Sequence, residues 1–203
     1  MGFLSENCIF SPLDDTILET CNAFDCNHGD LNDFFANDAV NYSTQLLGKS
    51  YCFILEDDPA QIVCAFTVSN DSIKTKDLPN ARSKKVTKEI PRQKRMRSYP
   101  SVLIGRLGVN TDYRIVPGQT KTTGDQLMDF IKSWFINKKN KTGCRFIVVD
   151  SYNEGKALNY YNRNGFVPLF STEDQEKSFT GLAEDDELTT RMLFFDLILL
   201  LIS

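Results

Sequence analysis

The segment LIGRLGVNTDYRIVPGQTKTTGDQLMDFIKSWF, residues 103–135, decides the fold class of this protein. It begins with an apolar, β-branched run that predicts a strand. A polar loop follows, and the segment ends in an apolar stripe at the i, i+3, i+4, i+7 spacing of a helix that covers a sheet, formed by Leu127, Phe130, Ile131, Trp134 and Phe135. A strand, a loop and a covering helix in this order are typical of α/β structure.

Both directions from this segment add further strands and helices. Residues 31–47 predict a helix that Asp30 caps and Gly48 ends. The runs 51–55 and 62–68 predict a hairpin with an acidic turn. The remaining predicted elements are strands at 101–109, 146–149, 166–170 and 193–202 and a helix at 157–163. This order predicts a mixed α/β (α+β) sheet with helices packed on it.

Length and composition are those of one globular domain, which we expect to span residues 1–203. The chain is 41% hydrophobic and 25% charged, which excludes disordered and collagen-like proteins. The N-terminus lacks the basic and apolar regions of a secretory signal, and the apolar stretch 192–202 is about half a membrane span. We therefore expect a cytoplasmic protein whose six cysteines are free thiols.

Charge is distributed unevenly along the chain. Residues 74–97 hold ten basic and two acidic residues, a net charge of +8, so the remainder must carry −12 of the overall −4. This basic connection, about 74–98, is either a solvated loop or a surface that binds phosphates. An acidic segment, about 173–187, has the opposite charge and is predicted to be a solvated helix and turn.

Several common active sites are missing from the sequence. It contains no G-x-S-x-G elbow, no Walker A motif and no dinucleotide fingerprint. His28 is the single histidine, and Cys21 and Cys26 have no second ligand cluster, so we predict no metal site. What remains is the strand end at Val109 and the helix start at Gly124, where backbone N–H groups suit a pyrophosphate.

Three stretches together resemble the GNAT acyl-CoA-dependent N-acetyltransferases, in particular the branch of toxins from bacterial toxin–antitoxin pairs. Residues 24–34 (FDCNHGDLNDF) are similar to the branch's F-x-C-G-x-x-x-L-[ND]-x-[FW] signature. Residues 103–109 (LIGRLGV) are similar to its L-x-G-R-L-A-V strand, and 157–166 (ALNYYNRNGF) to its A-x-x-[FY]-Y-x-x-x-G-F element. The resemblance implies a GNAT-like, mostly antiparallel central sheet flanked by helices.

The resemblance also implies a cosubstrate, acetyl-CoA, without a metal. The family's [QR]-x-x-G-x-[GA] loop aligns with residues 119–124, after about five additional residues, and Thr122 stands where the first glycine is expected. A side chain there crowds backbone that must approach the pyrophosphate, whereas Lys121 and the hydroxyls of Thr122 and Thr123 offer donors. The implied cofactor-binding residues are Leu107, Gly108, Val109, Gln119, Thr120, Lys121, Thr122, Thr123, Gly124 and Asn153.

The implied reaction is direct attack of an amine on the thioester. Backbone N–H groups at the end of the 107–109 strand polarise the oxyanion, and Tyr161 aligns with the tyrosine that protonates the departing thiolate. Its neighbour Tyr160 is predicted to enter the core. Asn153 aligns with a position that contacts the pantetheine arm and is also placed to cap a helix. No residue stands out as a general base.

In this branch the acceptor is the α-amine of aminoacyl-tRNA, whose modification blocks translation. Its pKa of about 8 leaves a useful neutral fraction near pH 7.5. The tRNA phosphates would then contact basic residues of the connection, namely Lys84, Lys85, Arg92, Lys94, Arg95 and Arg97. A ribbon-helix-helix antitoxin and a homodimer are further expectations, with no membrane partner.

Two alternative functions stay open at this point. In the first, the enzyme acetylates an amine of a protein or a small molecule. In the second, the chain is a non-catalytic GNAT-like module that binds RNA or a partner protein. The departure from the glycine pattern at Thr122 favours the second alternative.

Overall fold

A computed structural model describes residues 2–90, 98–140 and 142–202. Within these ranges, seven strands form one sheet in the order β1-β2-β3-β4-β5-β7-β6. The strands are β1 (Cys8–Pro12), β2 (Lys49–Leu55), β3 (Ile62–Ile73), β4 (Tyr99–Val109), β5 (Phe146–Tyr152), β6 (Val167–Pro168) and β7 (Thr190–Asp196). The sheet is mixed and mostly antiparallel, which confirms the predicted fold class.

Helices lie before, between and after the strands. They are α1 (Phe3–Asn7), α2 (Asp15–Thr20), α3 (Gly29–Asp33), α4 (Ala39–Thr44), α5 (Asn80–Thr87), α6 (Thr123–Ile136), α7 (Gly155–Arg163), α8 (Glu173–Thr180) and α9 (Leu199–Ile202). Within the described ranges, no helix is long and apolar enough to cross a membrane.

The backbone contacts divide the chain into two compact units. The first comprises Met1–Ser69 and Ile104–Trp134, and the second comprises Asn70–Leu103 and Phe135–Ser203. Each unit has its own buried apolar cluster, described below.

The first unit is built around the hairpin of β2 and β3 and around α6. The two strands pair antiparallel from Lys49↔Val68 to Ile54↔Ile62, as predicted for this hairpin. Phe10 of β1 lies against two rings of α6, with centroid distances of 4.7 Å to Phe130 and 5.3 Å to Trp134. A second cluster buries Leu13, Ile17, Phe34, Phe35, Ala39, Cys52, Ile62 and Ala65.

The predicted helix at 31–47 is interrupted by a π-helical turn. Helix α3 begins after His28 rather than at Asp30, Phe34–Asp38 forms the π turn, and α4 ends at Thr44. The inserted residue lets two neighbouring aromatic residues and Ala39 enter the same apolar cluster. The prediction that Gly48 ends the helix is wrong: Leu46 takes the left-handed conformation (φ 60°), and Gly48 lies where a Cβ would be 3.0 Å from the Val68 carbonyl oxygen.

The second unit is centred on β5 and β7, which pair antiparallel from Phe146↔Asp196 to Tyr152↔Thr190. Its apolar cluster comprises Ile73, Leu78, Val86, Tyr99, Phe146, Val148, Leu169, Phe170 and Phe194. Helix α8 contributes a carboxylate to this unit: Glu176, 1% exposed, lies 2.7 Å from the Arg191 Nε and accepts a hydrogen bond from the Met192 N–H.

Two predicted strands are shorter than expected. The run 193–202 was predicted to be one strand, but β7 ends at Asp196 and α9 follows. Asp196 pairs with Arg145 at 2.7 Å and accepts from the Ile198 N–H, and the leucines beyond it, which are not branched at Cβ, favour a helix. In the run 166–170 only Val167–Pro168 is strand, and Pro168 has no N–H to extend a ladder.

Candidate functional site

The end of β4 packs closely against the segment 24–34. A Cβ at Gly108 would lie 3.1 Å from the Phe24 ring and 3.2 Å from the Cys26 Cβ, so glycine permits this approach. Beyond the strand, the Asn110 N–H donates to the Val63 carbonyl at 2.9 Å. The predicted oxyanion residues Leu107, Gly108 and Val109 therefore lie on a strand end that is fixed by its neighbours.

The side-chain amide of Asn32 links two parts of the segment 24–34. Asn32 Oδ1 accepts from the Cys26 N–H at 2.9 Å, and its Nδ2 donates to Asp25 at 2.8 Å. The same Asp25 oxygen accepts from the Asn27 N–H at 2.7 Å, and Asn27 is left-handed (φ 55°). These hydrogen bonds hold the pKa of Asp25 below its usual value. Asp25 and Cys26 thus organise the loop.

A turn accommodates the additional residues ahead of the predicted cofactor loop. The Gln119 N–H donates to the Val116 carbonyl at 3.2 Å, across Pro117 and a left-handed Gly118 (φ 80°). Proline followed by a left-handed glycine is the signature of a type II turn. The insertion is therefore a defined turn, and the Arg114 guanidinium ties it to the Cys26 carbonyl.

Side chains of the predicted cofactor loop already have partners within the protein. Gln119 accepts from the Phe3 N–H at 3.1 Å. The Thr122 hydroxyl donates to Asp125 at 2.7 Å and accepts from that residue's N–H, which caps α6. Lys121 pairs with Asp129 at 2.5 Å. Thr123 is fully buried, and its hydroxyl donates to the Tyr113 carbonyl.

The backbone N–H groups of residues 120–122 are available to bind a ligand. Among the residues that the structure describes, none accepts a hydrogen bond from the N–H groups of Thr120, Lys121 and Thr122. These three consecutive groups directly precede α6, whose N-terminal dipole favours an anion. The loop thus suits a pyrophosphate through its backbone, and contact of Gln119, Thr120, Lys121, Thr122, Thr123 and Gly124 with acetyl-CoA stays a prediction.

Tyr161 is held by the C-terminal end of α7. The Gly165 N–H donates to the Asn162 carbonyl at 2.9 Å, and the Phe166 N–H donates to the Tyr161 carbonyl at 3.0 Å. With Gly165 left-handed (φ 80°), this is a Schellman motif. The accompanying apolar contact joins the rings of Tyr161 and Phe166, whose centroids are 5.5 Å apart.

The Tyr161 hydroxyl keeps its proton throughout the neutral pH range. Burial raises its pKa well above the usual value of about 10. No described residue accepts a hydrogen bond from this hydroxyl. The side chain is half-buried, and its role as the acid of the reaction stays a prediction.

Two neighbours of Tyr161 differ from their predicted roles. Tyr160 is half-exposed rather than in the core, and the Arg163 guanidinium lies 5.0 Å above its ring. Asn153 does not cap α7, since Glu154 is the cap residue. The Asn153 amide instead donates to the Leu188 carbonyl at 2.9 Å and to Glu173 at 3.1 Å. Its contact with pantetheine stays a prediction.

The fold of this protein is shared with solved toxin structures. AtaT complexed with acetyl-methionyl-tRNAfMet matches with a TM-score of 0.62 and 22% identity, over 97% of this chain and 100% of that one. AtaTR bound with acetyl-CoA matches at 0.60 and 22%, over 98% and 99%. A tyrosine-to-phenylalanine variant of KacT matches at 0.60 and 18%, over 95% and 96%.

The chain has the GNAT fold of these toxins. No protein-family model matches the sequence, and a search of curated proteins finds no match. At these identities the likeness establishes the fold, and the roles of individual residues rest on the geometry described above.

The basic connection of this GNAT-fold chain is partly helical. Lys84 and Lys85 are exposed on α5 and have no ion pair with any described residue. The other predicted tRNA contacts, Arg92, Lys94, Arg95 and Arg97, lie outside the described residues. No group of three or more His, Cys, Asp or Glu side chains with metal-binding geometry occurs in 2–90, 98–140 or 142–202.

Sequence reasoning missed residues that support the site from a distance in the chain. Gln126 accepts from the Leu4 N–H and donates to the Lys121 carbonyl, both at 3.1 Å, which anchors α1 to the loop. The Asn110 amide donates to the Ile62 carbonyl at 3.2 Å at the end of β4. Amide side chains next to a predicted loop were the available signal, but their partners are set by the tertiary fold.

Proposed function

We propose that this protein is an acetyl-CoA-dependent N-acetyltransferase that acetylates the α-amine of aminoacyl-tRNA in the cytoplasm and so blocks translation. The observation that carries the proposal is the Tyr161 hydroxyl, which stays protonated and uncommitted on a helix end fixed by Gly165 and Phe166. The GNAT fold supports it, because its solved neighbours include one bound with acetyl-CoA and one complexed with acetyl-methionyl-tRNAfMet.

The roles proposed for 120–122 and Tyr161 follow from their hydrogen-bonding state, and the role proposed for 107–109 follows from the resemblance to the family. Backbone N–H groups of 120–122 and the N-terminus of α6 hold the pyrophosphate of acetyl-CoA. Backbone donors of 107–109 orient the thioester carbonyl, and Tyr161 delivers its proton to the departing thiolate. Bound acetyl-CoA supplies the acetyl group as an activated thioester. The amine is partly neutral near its pKa of about 8 and requires no strong base.

The partners of the protein follow from the same proposal. Charged tRNA is held by phosphate contacts to the basic connection, including Lys84 and Lys85. A cognate antitoxin is expected, since AtaT has been solved bound to the C-terminus of the antitoxin AtaR and KacTA has been solved with DNA. We propose a ribbon-helix-helix antitoxin and a homodimeric toxin.

The test is transfer of labelled acetyl from acetyl-CoA to charged tRNA. Tyr161→Phe is expected to lower kcat by about 10²- to 10⁴-fold, the usual contribution of a general acid. Tyr160→Phe removes the adjacent hydroxyl and is expected to stay within about threefold of the wild type. If no charged tRNA is acetylated, aminoacyl-tRNA is not the substrate. Transfer with little salt dependence would favour an amine of a protein or a small molecule as the acceptor.

A non-catalytic RNA- or partner-binding role is the second candidate. It is favoured by the side chains of Gln119, Lys121, Thr122 and Thr123, which all bond within the protein. Calorimetric titration with acetyl-CoA separates the two candidates. Measurable binding supports the enzyme, and its absence supports the binding module.

A further inference from the structure

Arg82 on α5 is a buried cation that forms no ion pair with any described residue. The residue is 8% exposed, and its Nε donates to the Leu169 carbonyl at 2.8 Å. Its Nη2 is buried and has no hydrogen-bond partner among the residues that the structure describes. Desolvation lowers the pKa of this guanidinium. One of the donors of Arg82 is thus shielded from water and still unused.

A second cation lies on the same face of the helix. Lys85 follows Arg82 by three residues, a spacing that places two side chains side by side. The pKa of Lys85 is lowered by desolvation and by the charge of Arg82. The described acids of this stretch are engaged elsewhere, with Asp77 3.8 Å from Lys76 and Glu89 3.4 Å from Lys88.

Two adjacent cations, one of them buried, are unfavourable unless a negative group binds between them. Burial removes water that would stabilise the guanidinium, and the neighbouring ammonium repels it. An anion with several acceptor oxygens would satisfy the unused Nη2 and neutralise both charges. Phosphate is the anion whose geometry and charge suit an arginine fork together with a lysine.

We propose that Arg82 and Lys85 form a binding site for a phosphate group, with Arg82 on its buried side and Lys85 on its exposed side. The phosphate comes either from an RNA backbone or from a small phosphate compound. Assignment to RNA rests on the proposed function, whereas the phosphate site itself does not.

Thermal unfolding in inorganic phosphate tests the site. Wild-type protein is expected to gain a few degrees in Tm, saturably, relative to chloride of equal ionic strength. Lys85→Gln and Arg82→Gln should lose this gain. Lys76→Gln, which removes an exposed lysine paired with Asp77, should keep it. An equal phosphate response in Lys85→Gln and wild type would overturn the proposal.

The variants also differ in chloride alone, where no phosphate relieves the repulsion. Lys85→Gln should then have a Tm equal to or above that of the wild type, because it removes the charge that opposes Arg82. A clear loss of stability in chloride would instead show that Lys85 is structural. Since Lys85 is exposed, this variant is expected to fold even where Arg82→Gln does not.

Fluorescence anisotropy with uncharged tRNA identifies the source of the phosphate. If RNA supplies it, Lys85→Gln weakens binding about tenfold, Lys76→Gln weakens it less, and added inorganic phosphate competes. Equal tRNA affinity of the two variants would overturn the RNA assignment and leave a small phosphate compound as the ligand. Neither measurement requires acetyl-CoA, so failure of acetyl transfer would not affect the result.

Discussion

The end of α7 and the loop ahead of α6 both match family signatures, but they match in different ways. At α7 the sequence matches the signature and the geometry agrees with it, because Gly165 is left-handed and Phe166 packs on Tyr161. At α6 the glycine expected at Thr122 is absent, yet its hydroxyl caps the helix and a turn at Gly118 takes up the insertion.

The difference shows what a glycine in a signature is needed for. A position with positive φ penalises every side chain, so its glycine reports on the backbone itself. A loop that binds through N–H groups requires only the path of its backbone, and other side chains can secure that path. We therefore expect the α7 turn to be intolerant of substitution and the α6 loop to be tolerant.

The largest effect should follow substitution of Gly165. Gly165→Ala combines a left-handed backbone with a Cβ 3.1 Å from the Phe195 ring, and we expect a loss of about 2 to 3 kcal/mol in unfolding free energy. Urea denaturation measures it. Gly181→Ala has the same backbone (φ 77°) with no atom within 4 Å, so it should cost about 1 kcal/mol. Gly155→Ala, in the first turn of α7, should be neutral or stabilising; equal losses in all three variants would contradict the interpretation.

Thr123→Val should have the next largest effect. It keeps the shape of a fully buried side chain but leaves the Tyr113 carbonyl without its donor, which costs about 1 to 3 kcal/mol. The matched variant Thr122→Val removes the cap of α6 and should cost about 1 kcal/mol. Urea denaturation of both variants ranks them, and a larger loss for Thr122→Val would show that the cap matters more than the buried bond.

Restoring the signature at Thr122 should change affinity more than stability. Thr122→Gly removes a Cβ from the backbone proposed to approach the pyrophosphate, so the Kd for acetyl-CoA should fall about threefold, under 1 kcal/mol. Glycine at a helix cap costs only a few tenths of a kcal/mol. Calorimetry measures the Kd, with Thr120→Gly as the control for added flexibility. Weaker binding by Thr122→Gly would refute the crowding argument.

The smallest expected effect concerns the pH profile of acetyl transfer, whose rate should not decline at alkaline pH. Burial raises the pKa of Tyr161 above its unfolded value of about 10, so the proton donor persists to about pH 10. The raised pKa of Tyr161 in the folded protein also contributes to folding stability. This contribution is fully present below pH 10 and is lost as the pH rises through the pKa of the folded state. Acetyl transfer should therefore increase as the amine loses its proton near pH 8 and then stay level. A decline between pH 8.5 and 9.5 that is absent from Tyr161→Phe would contradict this assignment.

Local patterns were sufficient to predict the elements that carry their own signals. The stripe on α6 predicted a buried helix face, and Leu127 and Ile131 are fully buried. Two apolar runs on either side of an acidic turn predicted the hairpin of β2 and β3. The turn at Gly165 was predictable because positive φ selects one residue type.

The rest depends on contacts between residues that are distant in the chain. Strand β1 is a five-residue run whose Phe10 gains its environment from α6, more than 100 positions away. Gln126 meets Leu4 across a separation of 122 residues, and Arg82 meets Leu169 across 87. No periodicity in the sequence encodes such pairs. The burial of the Arg82 guanidinium and the anchoring of α1 by Gln126 could therefore be found only in the structure.

The carboxylate of Glu176 has a consequence for association between molecules. Strand β6 pairs with Leu193 and Phe194 of β7, so the Met192 N–H lies beyond this ladder and is covered by Glu176. A strand flank with free amides is a template for pairing with another chain. Helix α8 supplies the acceptor for this amide through Glu176, so the Met192 N–H is not open to pairing with another chain.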